Sequence, residues 1–310
     1  MWSSVAPNVA KPKVGGLIRI VGCNRHYGPS DAFDSELETG VKSLKPRQEL
    51  AQVLITVKTY PAPSARHGET VCIAGVRLDG AAPSFIRLYP IPFRMLESSN
   101  QFAKYQVVEV PVTSRGTRDP RPESFEPDID RITLGEKIKT DRKWARRKEL
   151  IEPLIGATTV CELIAKNREG SMADSIQSFG LIKPTIKDMK VETGRPWTPT
   201  QLQKVRAATE PTLFNENGLV ELQPVPYSIK FSYKCQESTC RGHKQELIDW
   251  ELGAAGLKWP SSYGSETASK IEEKWAEMTD PTKKDIHFYV GNQHQRRQTF
   301  SVCGLWSPPL

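Results

Sequence analysis

One stretch, residues 233–251, "YKCQESTCRGHKQELIDWE", constrains this chain more than any other. It sets two thiols and an imidazole, Cys235, Cys240 and His243, within nine residues. Zinc takes four such donors in a tetrahedron, and structural sites draw at least two of them from one tight turn. Gly242, next to His243, permits the sharp backbone such a turn requires. The segment before Cys235, "YSIKFSYKC", alternates like a strand, so the spacing predicts a zinc knuckle at a strand end. A fourth ligand must come from elsewhere. His287, His294 and Cys303 are the candidates in the same part of the chain, and His294 is carried forward with the other three.

The same stretch ends in two acids, Asp249 and Glu251. If "LIDWEL" is a strand, both carboxylates share one face and could hold a hard cation for phosphodiester cleavage, with His287 as a further catalytic candidate. If it is a helix, they lie about 200° apart around its axis. The run is too short for its period to decide.

The other cysteines, Cys23, Cys72, Cys161 and Cys303, are scattered over the 310 residues. A secreted disulfide framework is short and dense in cysteine, so reduced thiols are expected here. No stretch approaches the roughly 18 apolar residues of a membrane span, and the N-terminus lacks the apolar core of a secretory signal. A cytoplasmic address is the expectation. The chain contains no P-loop, Rossmann glycine fingerprint, HExxH or GxSxG, which removes the commonest nucleotide-hydrolysing, dinucleotide, zincin and serine-hydrolase chemistries.

The pattern along the chain predicts an α+β protein in four parts. Residues 1–46 read as an irregular arm. Residues 47–130 form a β-rich, barrel-like domain built on "VLITVKTY", "ETVCIAGVRL", "SFIRLYPIPF" and "QVVEVPVT", small and antiparallel, with a shift of face at Gly75 and a connector over 114–130. Residues 131–222 read as a helical segment. Residues 223–310 form an α+β domain with the knuckle, a helix over 266–278 and a closing hairpin whose loop is "NQHQRRQ".

The net charge of +7 favours encounters with polyanions. Three places could make contact. "RKWARRK" would set Arg142, Arg146 and Arg147 in rows along a helix, spaced to follow phosphates. Arg296 and Arg297 lie in the hairpin loop among glutamines, a chemistry suited to base edges and phosphate alike. In "FIRLYPIPFR", alternation puts Arg87 and Tyr89 on one face and Ile86 and Leu88 on the other, with Arg94 following. Arginines beside aromatics are what unpaired bases stack against. By strand count and this aromatic–arginine face, about 65 residues of the strand unit resemble small nucleic-acid-binding barrels of the PUA or ASCH kind, a likeness of fold that assigns no activity. The expectation is a nucleic-acid-binding protein, of DNA or RNA, with a zinc-stabilised C-terminal domain. Its rivals are a metal-dependent nuclease or base-processing enzyme using Asp249 and Glu251, and a protein–protein adaptor whose charge is incidental.

Overall fold

Alternation in the first half of the chain builds a barrel. The computed structural model describes residues 44–210 and 220–310, and the arm expected at 1–46 lies outside them except for its last three residues. Four strands are those read from the sequence: β1 (Glu49–Lys58), β3 (Gly68–Arg77), β4 (Ser84–Ile91) and β5 (Gln106–Ser114), with a short β2 (Ala62–Ser64) paired to β3. β1 lies between β3 and β5, and β3 pairs with β4. Closure comes from β6 (Ser124–Pro127), antiparallel to β5 but parallel to β4. The barrel is therefore closed and five-stranded, and not wholly antiparallel as expected. β6 falls inside the expected connector, because "SFEP" is too short for alternation to show. β7 (Thr133–Lys137) adds to β5 outside the closed ring.

Val53, Ile55, Ile73, Leu88, Val108 and Val110 fill the barrel. The shift of face expected at Gly75 is met by a bulge on the neighbouring strand, where the register slips between Ile55 and Val57. A Cβ on Gly75 would lie 2.4 Å from the Leu54 carbonyl oxygen, so only glycine lets these strands approach.

The second half forms a six-stranded sheet, from β8 (Phe179–Ile182), β9 (Thr185–Thr193), β10 (Tyr227–Lys234), β11 (His243–Leu247), β12 (His287–Gln293) and β13 (Arg296–Trp306), in the order β8-β12-β13-β11-β10-β9. Helices α1 (Asp141–Ile151), α2 (Val160–Glu169), α3 (Pro199–Thr209), α4 (Trp250–Lys258), α5 (Pro260–Tyr263) and α6 (Thr267–Met278) complete the described residues' helical elements of four residues or more. The segment 131–222, expected to be helical, thus supplies β7, β8 and β9 besides α1 to α3. β9 is an edge strand that carries Lys187, Asp188 and Lys190, and so much charge hides its period.

Strand geometry makes this sheet the middle of three layers. Phe288, Val290, Phe300 and Val302 pack against Leu163 of α2, Leu252 of α4, and Ile271 and Trp275 of α6. The opposite side chains, Tyr289, Cys303 and Trp306, meet Leu54, Val57, Ala74 and Val76 on the outside of the barrel. Each large apolar side chain buried this way contributes about 1.5–3 kcal/mol. A buried polar seam joins the same layers: Arg87 donates to the Asn292 carbonyl at 2.8 Å and to Ser178 Oγ at 2.7 Å, and Arg121 donates to Asn292 Oδ1 at 3.1 Å. Among the described residues, no helix is long and apolar enough to cross a membrane.

Candidate metal centre

The knuckle forms where the spacing placed it. Cys235 follows β10, Cys240 ends a turn closed by its own amide donating to the Glu237 carbonyl at 3.0 Å, and His243 opens β11. Gly242 has φ of +104°, the conformation for which a glycine was expected. The fourth donor is Cys161, and it comes from α2. Thr159 caps that helix by accepting from the Glu162 amide at 3.1 Å, which fixes the first turn and Cys161 with it. The Cys161 and Cys235 sulfurs are 3.6 Å apart, and His243 Nε2 lies 3.5 Å from Cys161 Sγ and 3.3 Å from Cys240 Sγ.

All four donor atoms lie within 4.8 Å of one another. Around a tetrahedral zinc ion, neighbouring sulfurs stand about 3.8 Å apart and sulfur and nitrogen about 3.6 Å. The three short separations match those edges. Burial, then the neighbouring thiols, pushes Cys161 up to about 12. Cys240 is pushed up by burial too, yet backbone donors hold it below the ordinary thiol range. Four protein donors would fill a tetrahedral ion completely, leaving no position for a substrate.

His294 is not part of this group. It sits 3.2 Å from Asp119, whose carboxyl Arg121 and Ser124 hold well below the usual range against the effect of burial. Nor are His287 and Cys303. Burial lowers His287 on β12, and Cys303 packs between sheet and barrel, where burial pushes it up to about 12. Cys161 lay too far from the knuckle in sequence for any spacing rule. Val160, Leu163 and Asn167 make the buried stripe of its helix, and Cys161 and Ile164 pack half-buried beside it, so Cys161 reads as one more packed residue.

Asp249 and Glu251 do come together, but on a lysine. Asp249 caps α4, its Oδ1 accepting from the Glu251 amide at 2.9 Å. Lys104 Nζ lies 2.6 Å from Asp249 Oδ2 and 2.8 Å from Glu251 Oε2. Because Asp249 precedes the helix, the 200° separation of a continuous helix does not apply. The segment is pinned to the barrel by the Tyr60 amide, which donates to the Ile248 carbonyl at 2.9 Å. Burial raises Asp249 to about 6, while Lys104 holds Glu251 below the ordinary carboxylate range. The ammonium occupies the position that a hard cation would need.

The arginines divide sharply. Arg87 is buried in the seam. Arg147 donates twice to the Ile138 carbonyl and stacks 3.8 Å from the Tyr105 ring centroid. Arg297 holds the loop after α2 by donating to the carbonyls of Ser171, Met172 and Asp174. These three serve the interior and not a surface. Arg94 is half-buried and paired with Glu69 at 2.8 Å, and Tyr89 is half-buried beneath Arg115. Arg142, Arg146 and Arg296 remain exposed. The rows expected along "RKWARRK" do not form, since Arg142, Lys143 and Trp144 all have positive φ.

The sequence comparisons agree with the division into two halves. Residues 156–310 match a family described as a domain of unknown function (DUF8757). The chain belongs to the DUF8757 family. Ahead of the DUF8757 region, residues 49–153 match a second domain of unknown function (DUF8758). The Cys161, Cys235, Cys240 and His243 cluster lies wholly within the DUF8757 region. No curated protein matches the chain. Among solved structures it is similar to a murine DNA binding protein bound with double-stranded DNA, at TM-score 0.26 and 8% identity over 84% of this chain and 95% of that one. It is also similar to a replication protein A heterotrimer bound to single-stranded DNA, at TM-score 0.23 and 8% identity over 86% and 67%. Likenesses this distant carry no argument.

Proposed function

We propose that the protein binds nucleic acid, and that a structural zinc ion held by Cys161, Cys235, Cys240 and His243 fixes part of the surface that does so. One observation carries the reading. Lys234 at the end of β10, Arg241 on the turn and Lys244 on β11 stand exposed around the Cys/His cluster, and among the described residues none of them forms an ion pair. Cations that no protein carboxylate pairs are neutralised by solvent ions that phosphates displace. Such contacts position a strand without reading its sequence. Arg142, Arg146 and Arg296 are exposed and extend the set, although Arg146 pairs with Glu149.

The test is binding of labelled single-stranded DNA, duplex DNA and RNA over a salt series, followed by anisotropy. The parent should lose affinity steeply with salt. The pair Arg241→Glu and Lys244→Glu should weaken every ligand and flatten the salt slope by about one per lost phosphate contact. Affinity and slope unchanged in that variant would remove the turn from the interface.

A further inference from the structure

Lys104, Asp249 and Glu251 have the composition of a condensation site as well as that of a salt bridge. The Lys104 and Asp249 side chains are 10% and 5% exposed, with Nζ 2.6 Å from Oδ2. The backbone holds both in place. Asp249 follows Ile248, whose amide donates to the Val302 carbonyl and whose carbonyl accepts from the Tyr60 amide, each at 2.9 Å. Lys104 precedes Tyr105, whose amide donates to the Ile55 carbonyl at 2.6 Å. A Cβ on Gly304 would lie 3.5 Å from Asp249 Oδ2, so β13 passes close beside the carboxylate. An amine and an acyl group held together and aligned react as though at roughly 10⁵–10⁸ M.

The two oxygens of Asp249 stand in unequal settings. Oδ1 accepts from the Glu251 amide at 2.9 Å, in the first turn of α4, where helix N–H groups favour negative charge. Oδ2 faces the amine. Addition of Nζ to Cγ would gather charge on Oδ1, where a backbone donor already stands. Glu251 supplies the remaining part. Its Oε2 lies 2.8 Å from Nζ while its side chain is 57% exposed. It therefore touches the amine and also reaches solvent, which suits a group that moves protons.

We propose that Lys104 and Asp249 condense to an isopeptide bond, with Glu251 as the base. The Nζ–Cγ bond forms with the amine's electron pair, and the Cγ–Oδ2 bond breaks. Two of the three ammonium protons pass by way of Glu251 to Oδ2, which departs as water, and no oxidant or cofactor enters. Burial raises Asp249 to about 6, which favours the neutral acid that can lose water. Burial also opposes the Lys104 ammonium, but the two carboxylates outweigh it and hold the lysine charged. The step is therefore slow, and the freshly folded chain carries the ion pair. The bond would tie the DUF8758 region, which holds Lys104, to the DUF8757 region, which holds Asp249. Nothing in this chemistry depends on the nucleic-acid reading.

The experiment is intact-mass spectrometry of the full chain, fresh and after several days in neutral buffer, followed by peptide mapping. The parent should lose the mass of one water and yield a branched peptide joining Lys104 to Asp249. Lys104→Arg keeps the charge without the amine and should hold its full mass. Glu251→Gln keeps the shape without the base and should slow the loss about a hundredfold. That exposed position keeps the test decisive if Lys104→Arg fails to fold. A parent that holds its full mass throughout overturns the proposal. So does a loss of water that persists in Lys104→Arg, which would mark an aspartyl succinimide. A parent that links no faster than Glu251→Gln overturns the part given to Glu251.

Discussion

Two clusters of chemically active side chains end the same nineteen-residue stretch, and they solve the same electrostatic problem in opposite ways. At Asp249 and Glu251 the fold brings its own cation, Lys104, within 2.8 Å of both carboxylates. At Cys161, Cys235, Cys240 and His243 the converging groups are all donors, drawn from a helix, two strand ends and the turn between them. In the first cluster both carboxylates are paired with a protein cation. The second brings together four groups that could hold a metal ion. Converging anions in a sequence therefore say little about metal until the nearest lysine is known.

The strongest way to break this comparison is at the thiols. Cys240→Ser should lose one bound zinc per chain and destabilise the fold by on the order of 5 kcal/mol, part of the roughly 10–16 kcal/mol that zinc supplies where it alone holds a domain together. Metal analysis alongside denaturant unfolding checks it. A parent without zinc, or a variant with an unchanged midpoint, would make the group reduced thiols and nothing more.

Removing the cation from the other cluster comes next. Lys104→Met leaves Asp249 buried and unpaired, and should cost about 3 kcal/mol at neutral pH. The loss should shrink as the pH falls and Asp249 takes up a proton. A loss that did not vary with pH would mean that Asp249 is not the group left stranded.

Asp249→Asn sharpens the comparison through its sign. Burial places the folded carboxyl at about 6, above the roughly 3.9 of an unfolded aspartate. Between about pH 4 and 6 the folded chain keeps a proton that the unfolded chain has released, so this group withdraws stability as the pH rises through that window. The asparagine variant retains the helix cap and lacks the withdrawal. Its unfolding free energy relative to the parent should climb from about pH 4 to 6 and then level off. The smallest effect belongs to Glu251→Gln. That side chain is 57% exposed, so its pairing with Lys104 should be worth under about 1 kcal/mol by denaturant midpoint.

The parts legible in the sequence were those written locally. Three donors in nine residues announced the knuckle, and Val53 and Ile55 against Leu54 announced strand β1. What alternation could not say is that both faces of that strand are buried. Arg87 was rightly placed opposite Ile86 and Leu88, yet its face meets the second sheet and not solvent. The same gap hid Cys161, whose partners lie more than seventy residues away, because contacts across layers leave no period in the chain. Asp249 was readable in one respect that the strand reading passed over: an aspartate directly before an apolar run is the ordinary opening of a helix. At Arg142 to Trp144 local composition misled, since good helix formers there take left-handed backbone.

The layer shared by barrel and sheet has one more consequence. The two family matches part between residues 153 and 156, but Leu154 is itself buried among Leu54, Val76, Tyr289 and Trp306. The boundary between the two matched regions therefore runs through a shared core. A foreign counterpart of either half would pack here only if it carried the complementary apolar face.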